Sequence, residues 1–242
     1  MSTTTTPTGL RGWLTASRST PHQLALRVGV VTAAFAVCIV PVLLLALFVQ
    51  TKWEPLLEVD DGARDSLHQY ALAHPTFLSV MRVLSDLGSA TSWQVLTVVV
   101  VVIALWRRRR RIAAFTVVTI AGSSLVNSAL KAVIGRHRPV VDHPFVTPPG
   151  QSFPSGHAQA AAAGSLVLLI VLWPLMSGVR RWLALVLAIA VTLAIGFSRV
   201  ALAAHYVSDV IAGYLVGAAW VAAMAAAFHI WRVDRVARAL PE

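Results

Sequence analysis

Charged residues are scarce in this chain of 242 residues, where they make up 12% of the sequence against 57% hydrophobic residues. This composition excludes an ordinary soluble globular domain, whose charged share is about 25%. Cysteine is almost absent as well, because Cys38 is the only one. A single cysteine cannot form an intramolecular disulfide, so no redox compartment can be inferred from it. No internal repeat is evident.

Long apolar runs are what the sequence has in abundance. A helix that crosses a bilayer needs roughly 20 predominantly apolar residues, and we interpret six stretches as such spans. They are Val28–Val49, Trp93–Trp106, Ala113–Ile134, Ala158–Trp173, Leu183–Phe197 and Val200–Trp231. The shorter stretches extend past their apolar cores into flanking residues. The prediction is therefore an all-α, polytopic membrane protein with six transmembrane helices.

The remaining segments frame this six-helix domain, which we place at residues 23–232. Residues 1–22 are predicted to be a disordered cytoplasmic tail, and residues 233–242 a second cytoplasmic tail. The acidic loop at 51–92 has apolar positions at helical spacing between Phe77 and Leu84, which predicts an interfacial helix ending near Gly88. Two interpretations of this loop remain open, a cap over the active face and a plain connector.

The net charge of +10 would suit a nucleic-acid partner, but the distribution of the charges favours membrane topology instead. With a cytoplasmic N-terminus, thirteen of the 20 Lys and Arg residues fall on the cytoplasmic side, as the positive-inside rule predicts. They are Arg11, Arg18, Arg27, Arg107 to Arg111, Arg180, Arg181, Arg232, Arg235 and Arg238. We therefore expect a multi-pass plasma-membrane protein with both termini in the cytoplasm and no nucleic-acid partner.

Three polar clusters stand out at the opposite, extracytoplasmic ends of these spans. Ionisable groups close to bilayer depth are costly, and they mark a functional site by default. The clusters are Lys131 with Arg138-Pro139, then Pro154-Ser155-Gly156-His157, and finally Ser198-Arg199 with His205 and Asp209. Each cluster taken alone also has a plain structural interpretation. Cations can bind lipid headgroups, a serine can cap a helix, and a buried His–Asp pair can tie two helices together.

The third cluster has the arrangement of an oriented nucleophile. His205 and Asp209 are four residues apart and are expected to share a face of the sixth helix. The carboxylate can accept the Nδ1 proton of the imidazole, which leaves Nε2 unprotonated and directed at an electrophile. Ser198-Arg199 is placed at the turn between the last two spans, where Arg199 can hold phosphate oxygens with its guanidinium fork.

The other two clusters supply the features of an anion site. Ser155 is a plausible N-cap, and Gly156 lets the backbone approach a ligand closely at a helix N-terminus that favours anions. His157 can serve as a general acid toward a leaving oxygen. Lys131, in the last turns of the third span before a Gly135 C-cap, and Arg138 can neutralise a phosphate dianion. Arg136 and His137 are interpreted as facing lipid headgroups outside the core site.

In their order and internal spacing, the three clusters resemble the signature motifs of the type 2 phosphatidic acid phosphatase superfamily. That family includes lipid phosphate phosphatases, bacterial acid phosphatases and, more distantly, vanadium haloperoxidases. The first motif here is Lys131, six residues, then Arg138-Pro139; the second is Pro154 to His157; the third is Ser198-Arg199, five residues, His205, three residues, Asp209. Every motif position is filled.

The resemblance implies a role for each of these residues. His205 would be the nucleophile that forms a phosphohistidine, Asp209 would orient it, and His157 would protonate the leaving alkoxide and then activate water. The groups that would hold the phosphoryl oxygens are Lys131, Arg138, Arg199, Ser155 and Gly156. Family members generally need no metal, so neither a metal nor another cofactor is expected.

The membrane setting favours a lipid phosphate as substrate, with its tails left in the bilayer. The candidates are undecaprenyl pyrophosphate, which we favour slightly, phosphatidic or lysophosphatidic acid, and phosphatidylglycerophosphate. A phosphotransferase that uses the same intermediate is the main alternative. A haloperoxidase is disfavoured because those relatives are soluble, and a transporter because its site would lie near mid-membrane. The oligomeric state stays open.

Overall fold

The computed structural model describes residue 37 and residues 39–238, the last ten of them through their backbone alone. Within these residues the regular structure is helical and contains no strand, which confirms the all-α prediction. The helices are α1 Ile39–Gln50, α2 Glu54–Ala73, α3 Pro75–Leu87, α4 Ala90–Trp106, α5 Arg110–Ile134, α6 Gly156–Leu172, α7 Val179–Ala201 and α8 Val207–Arg238. The predicted tail at 1–22, Cys38, the start of the first span and residues 239–242 lie outside the described part.

Four helical stretches are each long and apolar enough to cross a membrane. They are Arg110–Ile134, Gly156–Leu175, Val179–Ala201 and Val207–Phe228. Two further pairs pass the same test only together: α1 with α2, which meet at a bend of 91°, and α3 with α4, which meet at 44°. The described residues therefore contain four candidate spans, or six if each bent pair is one span, in agreement with a multi-pass membrane protein.

The predicted start of the sixth span at Val200 is wrong. α7 continues to Ala201, and a turn at 202–206 precedes α8. The turn escaped the hydropathy pattern because Leu202, Ala203 and Ala204 are apolar and buried. Consequently Ser198 and Arg199 lie in the last turns of α7 rather than between two spans.

The loop predicted at 51–92 contains two helices, α2 and α3, before α4 begins. α3 ends at Leu87 with Gly88 as its C-cap, as the apolar spacing indicated. Met81 of α3 packs against Ala201 and Leu202 at the end of α7, and Asp60 of α2 is completely buried against α8. These contacts favour the interpretation of this segment as a cap over that of a plain connector.

α6 and α8 approach each other so closely at two glycines of α8 that no side chain would fit there. A Cβ atom on Gly213 would lie 2.6 Å from the carbonyl oxygen of Ser155, and one on Gly217 would lie 2.7 Å from that of Gln159. At the same end, the N–H of Ser155 donates to the carbonyl oxygen of Asp209 at 2.9 Å. The two helix N-termini therefore lie side by side, joined through the backbone.

A buried amide network joins α5 to α6 beneath the same end. Asn127 Nδ2 donates to Gln159 Oε1 at 2.8 Å, and Gln159 Nε2 donates to the carbonyl oxygen of Ser123 at 2.7 Å. Buried polar groups that are paired in this way specify one arrangement of the helices, because an unpaired amide would be costly. The network sets where the end of α5 lies relative to the start of α6.

The contact between α6 and α8 predicts that Gly213→Ala destabilises the protein. The added Cβ would meet a backbone oxygen, which cannot move aside as a flexible side chain would. We expect a loss of about 1–3 kcal/mol in the free energy of unfolding, typical of overpacking, seen as a lower thermal midpoint in detergent. Gly62→Ala is the matched control, because nothing lies within 4 Å of its Cβ position. Equal midpoints for the two variants would contradict this account.

Candidate active site

The three motif segments meet at one end of the four candidate spans. Lys131 lies in the last turn of α5, Gly156 and His157 begin α6, Arg199 lies in the last turn of α7, and Asp209 lies in the first turn of α8. The helices alternate in direction, so each of these positions is at the same end of the bundle. The arginines of the turn at 107–109 and of the start of α5, and Arg180 and Arg181 in the first turn of α7, lie at the opposite ends of the same helices.

His205 occupies the turn before α8 and is held on both ring nitrogens. Arg138 Nη1 lies 3.1 Å from Nε2. Because a guanidinium can only donate, Nε2 must be the unprotonated nitrogen, and the proton resides on Nδ1. Nδ1 faces Ser152 Oγ at 3.3 Å and Asp209 Oδ2 at 3.4 Å. The expectation that His205 and Asp209 share one helix is wrong, because only Asp209 is helical; the turn nevertheless brings their side chains together.

Asp209 is buried, and both of its carboxylate oxygens accept hydrogen bonds. Oδ2 accepts from Ser152 Oγ at 2.5 Å and from the N–H of Tyr206 at 2.9 Å. Oδ1 accepts from Arg136 Nη1 at 2.7 Å. A buried carboxylate needs this degree of satisfaction to remain ionised. Asp209 is therefore a fixed negative charge behind His205.

Lys131 and Arg138 both bind the loop that leads into α6. Lys131 Nζ donates to the carbonyl oxygen of Gln151 at 2.5 Å, and Arg138 Nε donates to that of Gly150 at 3.0 Å. Arg138 also donates to the carbonyl oxygen of Ala204 at 2.9 Å, next to His205. Among the described residues neither side chain forms an ion pair with a carboxylate. Arg138 is thus held beside His205, and Lys131 against the loop at Gln151 and Ser152, by neutral oxygens.

Arg199 is buried between α7 and α3. Its Nη1 donates to Ser85 Oγ, whereas its Nε makes no hydrogen bond within the described residues. A buried guanidinium N–H without an acceptor is costly, since each buried donor normally finds a partner. Arg199 therefore has a donor that an added anion would satisfy.

The start of α6 has the predicted capped form. Ser155 accepts from the N–H of Ala158 with its hydroxyl oxygen, which confirms it as the N-cap. Gly156, the first residue of the helix, has no carbonyl four residues earlier within the helix to pair with its N–H. His157 follows on the first turn and lies within electrostatic range of Lys131, Arg138, Arg199 and His205.

The exclusion of Arg136 from the site is wrong. Its side chain is 8% exposed and bridges two carboxylates, Asp209 at 2.7 Å and Asp60 at 2.8 Å. Its guanidinium carbon also lies 4.0 Å from the ring centre of Tyr206. The loop after α5 has no helical periodicity, so the sequence could not indicate which of its two arginines turns inward. His137, between them, is exposed, as expected.

Two further residues of the site were missed. Ser152 donates to Asp209 and lies beside His205, although it precedes the second cluster by two residues. Asp60 comes from α2, far from the motifs in sequence, and accepts from Arg136. The only sequence signal for Asp60 was its place in the acidic loop, which contains several carboxylates that are exposed in the structure.

Burial governs the ionisation of the groups in the turns around the site. Burial, opposed by Asp209 and assisted by the nearby charges of Arg138 and Arg199, lowers the pKa of His205 to about 4. Burial also lowers the pKa of Arg138, with Asp209 opposing. For Arg136, burial is outweighed by Asp209 and Asp60, and the pKa is raised. His205 is therefore neutral at physiological pH, while Arg136 stays charged.

Comparison with known proteins places the chain in a family. The sequence profile described as the PAP2 superfamily matches residues 112–232, half of the chain and all three motifs. The chain belongs to the PAP2 superfamily. Membership confirms the resemblance predicted from the motifs and the predicted class of enzyme, a phosphatase. No curated protein sequence matches the chain.

The fold is similar to that of a solved PAP2 protein. The crystal structure of the first transmembrane PAP2 type phosphatidylglycerolphosphate phosphatase from Bacillus subtilis matches with a TM-score of 0.66. The alignment covers 84% of this chain and 97% of the other, at 22% sequence identity. At this identity the likeness establishes the fold, a transmembrane PAP2 helical bundle. The roles of the individual residues in the site remain predictions.

The low pKa of His205 predicts an acid-sensitive contribution to stability. An unfolded histidine titrates near 6.5, so below that pH the unfolded state binds the proton more readily than the folded state. Stability should fall as the pH drops from about 6.5 toward 4, by about 2–3 kcal/mol from this residue. We expect the thermal midpoint of wild type to fall more between pH 7 and pH 4.5 than that of His205→Asn, which removes the titrating group. Equal shifts would show that His205 titrates normally.

Proposed function

We propose that this member of the PAP2 superfamily is an integral-membrane lipid phosphatase that acts through a phosphohistidine on His205. The observation that carries the proposal is the pair of contacts on the two ring nitrogens of His205. Its Nε2 accepts from Arg138, while its Nδ1 faces Asp209 and Ser152. An unprotonated Nε2 with a carboxylate behind Nδ1 is the form of imidazole that attacks phosphorus.

In the first step, Nε2 of His205 attacks phosphorus and the bond from phosphorus to the leaving oxygen of the lipid breaks. The imidazole gains positive charge as the new N–P bond forms, and Asp209 stabilises that charge through Nδ1–H. His157 donates a proton to the leaving oxygen. The products of this step are the dephosphorylated lipid and a phosphohistidine.

In the second step, His157 acts as a base, because it has just given up its proton. It takes a proton from water, and the oxygen of that water attacks the phosphorus of the phosphohistidine. The N–P bond breaks, and its electron pair returns to Nε2 of His205. Inorganic phosphate is released, and both histidines regain their starting forms.

The charges of the site suit a doubly charged phosphoryl group. Four cations and two carboxylates gather there, for a net charge of +2. They are Lys131, Arg136, Arg138 and Arg199 with Asp60 and Asp209. Only Arg136 of the four is ion-paired among the described residues. The other three, with the N-terminus of α6 at Ser155 and Gly156, are proposed to hold the phosphoryl oxygens and to stabilise the transition state without a metal or cofactor.

A cleft supports a lipid as the substrate. It has a volume of about 250 Å³ and is lined by residues of α4, α5 and α6, among them Trp93, Asn127 and His157 respectively. α5 and α6 are candidate spans, and α4 is part of a bent candidate span. α4 and α5 expose apolar side chains, such as Val98 and Leu125. A headgroup phosphate could reach His157 through this cleft while the acyl or prenyl chains stay against the apolar faces.

We place the reaction on the extracytoplasmic face of the plasma membrane. The basic residues at 107–111 and at Arg180-Arg181 lie at the helix ends opposite the site, and the positive-inside rule assigns such ends to the cytoplasm. The termini would then be cytoplasmic. The substrates we propose are phosphatidylglycerophosphate, undecaprenyl pyrophosphate and phosphatidic acid. Phosphatidylglycerophosphate is favoured, because the Bacillus subtilis protein of similar fold is a phosphatidylglycerolphosphate phosphatase.

His205→Ala should abolish release of phosphate, because it removes the proposed nucleophile. The measurement is phosphate release by detergent-purified protein, with EDTA present, from each of the three lipids in turn. We expect a loss on the order of 10³-fold or more at an unchanged elution profile, and inhibition of wild type by vanadate. His143→Asn, which changes an exposed histidine in the loop between α5 and α6, is the control and should retain activity.

Two results would revise the proposal. Residual activity of His205→Ala above about 1% of wild type would rule out His205 as the nucleophile, given the size of loss expected on its removal. Transfer of phosphate from the lipid to an added alcohol, with no free phosphate released by folded wild type, would identify a phosphotransferase instead.

Asp209→Asn should lower kcat more than it changes KM. The amide can donate to Nδ1, which would move the imidazole proton to Nε2 and block attack on phosphorus. A loss on the order of 10²- to 10⁴-fold in kcat is expected, by analogy with wrong-tautomer variants of other enzymes. The measurement is the full dependence of rate on lipid concentration in mixed micelles. A change confined to KM would exclude the orienting role.

A further inference from the structure

Asp60 is a buried carboxylate that lies outside all three motifs. It is fully buried in α2, and a carboxylate in that position is costly unless each oxygen is satisfied. Oδ1 accepts from the N–H of Ser208 at 2.9 Å. Oδ2 accepts from the Ser208 hydroxyl at 2.5 Å and from Arg136 Nη2 at 2.8 Å. α2 is thereby tied to the first turn of α8 and to the loop after α5.

Arg136 extends this contact to Asp209. Its Nη1 donates to Asp209 Oδ1 and to Ser208 Oγ, both at 2.7 Å. Its Nη2 donates to Asp60, and the ring of Tyr206 covers the guanidinium at 4.0 Å. A planar guanidinium held at both Nη atoms and on one face has a fixed orientation.

The fixed guanidinium leaves Asp209 one orientation of its carboxylate. Oδ1 accepts a hydrogen bond from Arg136. Oδ2 is therefore the oxygen that accepts from Ser152 and from the Tyr206 N–H. Oδ2 is also the oxygen that lies 3.4 Å from Nδ1 of His205. A carboxylate free to rotate about its last bond would present either oxygen to the imidazole, or neither at the right angle.

We propose that Asp60 and Arg136 form a positioning pair for the reaction at His205. Asp60 orients Arg136, and Arg136 holds the plane of the Asp209 carboxylate so that Oδ2 faces Nδ1. Neither residue touches the reacting atoms. The proposal rests on the proposed function, and it makes the α2 segment part of the active site rather than a connector between spans.

A purely structural ion pair would have the same geometry but different consequences. Such a pair would tie α2 to α8 and contribute to folding alone, and a buried ion pair is by itself weak evidence for either role. The two roles separate in the kinetics. A positioning pair changes kcat in protein that is fully folded, whereas a structural tie changes the amount or the thermal midpoint of the folded protein.

The first test is Asp60→Asn, which keeps the shape of the side chain and removes its charge. Loss of a residue that supports a functional group indirectly costs on the order of 10- to 100-fold in metal sites, and Asp60 acts on His205 in such an indirect way, through Arg136 and Asp209. We expect that loss in kcat, with little change in KM, and a slower appearance of labelled phosphohistidine in rapid-quench experiments. Asp61→Asn is the matched control, because Asp61 is the half-exposed neighbour that pairs with Arg64 rather than with Arg136. It should retain the wild-type rate.

The second test separates misfolding from misalignment. Asp60→Asn leaves Arg136 with one carboxylate fewer in a buried site, which can lower the thermal midpoint. The double variant Asp60→Asn/Arg136→Gln removes both charges of the pair and should recover part of that midpoint. If the pair positions Asp209, kcat of the double variant stays low. Recovery of kcat together with the midpoint would overturn the proposal in favour of a structural tie.

The outcomes also separate this proposal from the proposed function. If His205→Ala is inactive while folded Asp60→Asn turns over at the wild-type rate, the positioning role is overturned and the phosphohistidine reaction stands. If His205→Ala keeps its activity, the phosphohistidine reaction itself is overturned. If both variants lose kcat and Asp61→Asn does not, both proposals are supported.

Discussion

α6 and α8 lie backbone against backbone, because Gly213 and Gly217 present no side chain to Ser155 and Gln159. In a membrane, where water drives no helices together, such close packing of small residues is a main source of helix association. The contact brings the N-terminus that carries Gly156 and His157 beside the one that carries Asp209. The hydrogen bond from the N–H of Ser155 to the carbonyl of Asp209 fixes their register. The distances in the site depend on this contact.

The buried charges are arranged in two groups with different surroundings. In the first group, Arg136 forms ion pairs with both Asp60 and Asp209, so its positive charge is not available to a ligand. Lys131 and Arg138 are held by carbonyl oxygens, and Arg199 keeps an unsatisfied N–H. His205 lies between the groups, with Nδ1 toward Asp209 and Nε2 toward Arg138. That division suits a nucleophile whose target is an anion, because the positive charge is left available on one side only.

The residues recognised from sequence are those whose spacing follows from local structure. Lys131, Ser155 and Arg199 occupy helix ends that hydropathy and capping patterns indicate, and the alternating direction of the spans brings those ends together. Arg136 was misjudged because a loop without periodicity gives no orientation for its side chains. The turn at 202–206 was missed because its residues are apolar, which made two helices look continuous. Asp60 was one acidic residue among several in its segment.

Composition and spacing by themselves determined that the chain is an all-helical membrane protein, which family it belongs to, and which end of the bundle carries the polar clusters. These properties follow from the length of apolar runs, from the cost of burying charge in hydrocarbon and from ordered motifs, all of which are local in sequence. Only the tertiary structure decided that Arg138 contacts Nε2 of His205, that Ser152 and Arg136 flank Asp209, and that α2 contributes Asp60. These contacts join residues up to 148 positions apart, and their geometry depends on helix packing that no short segment encodes.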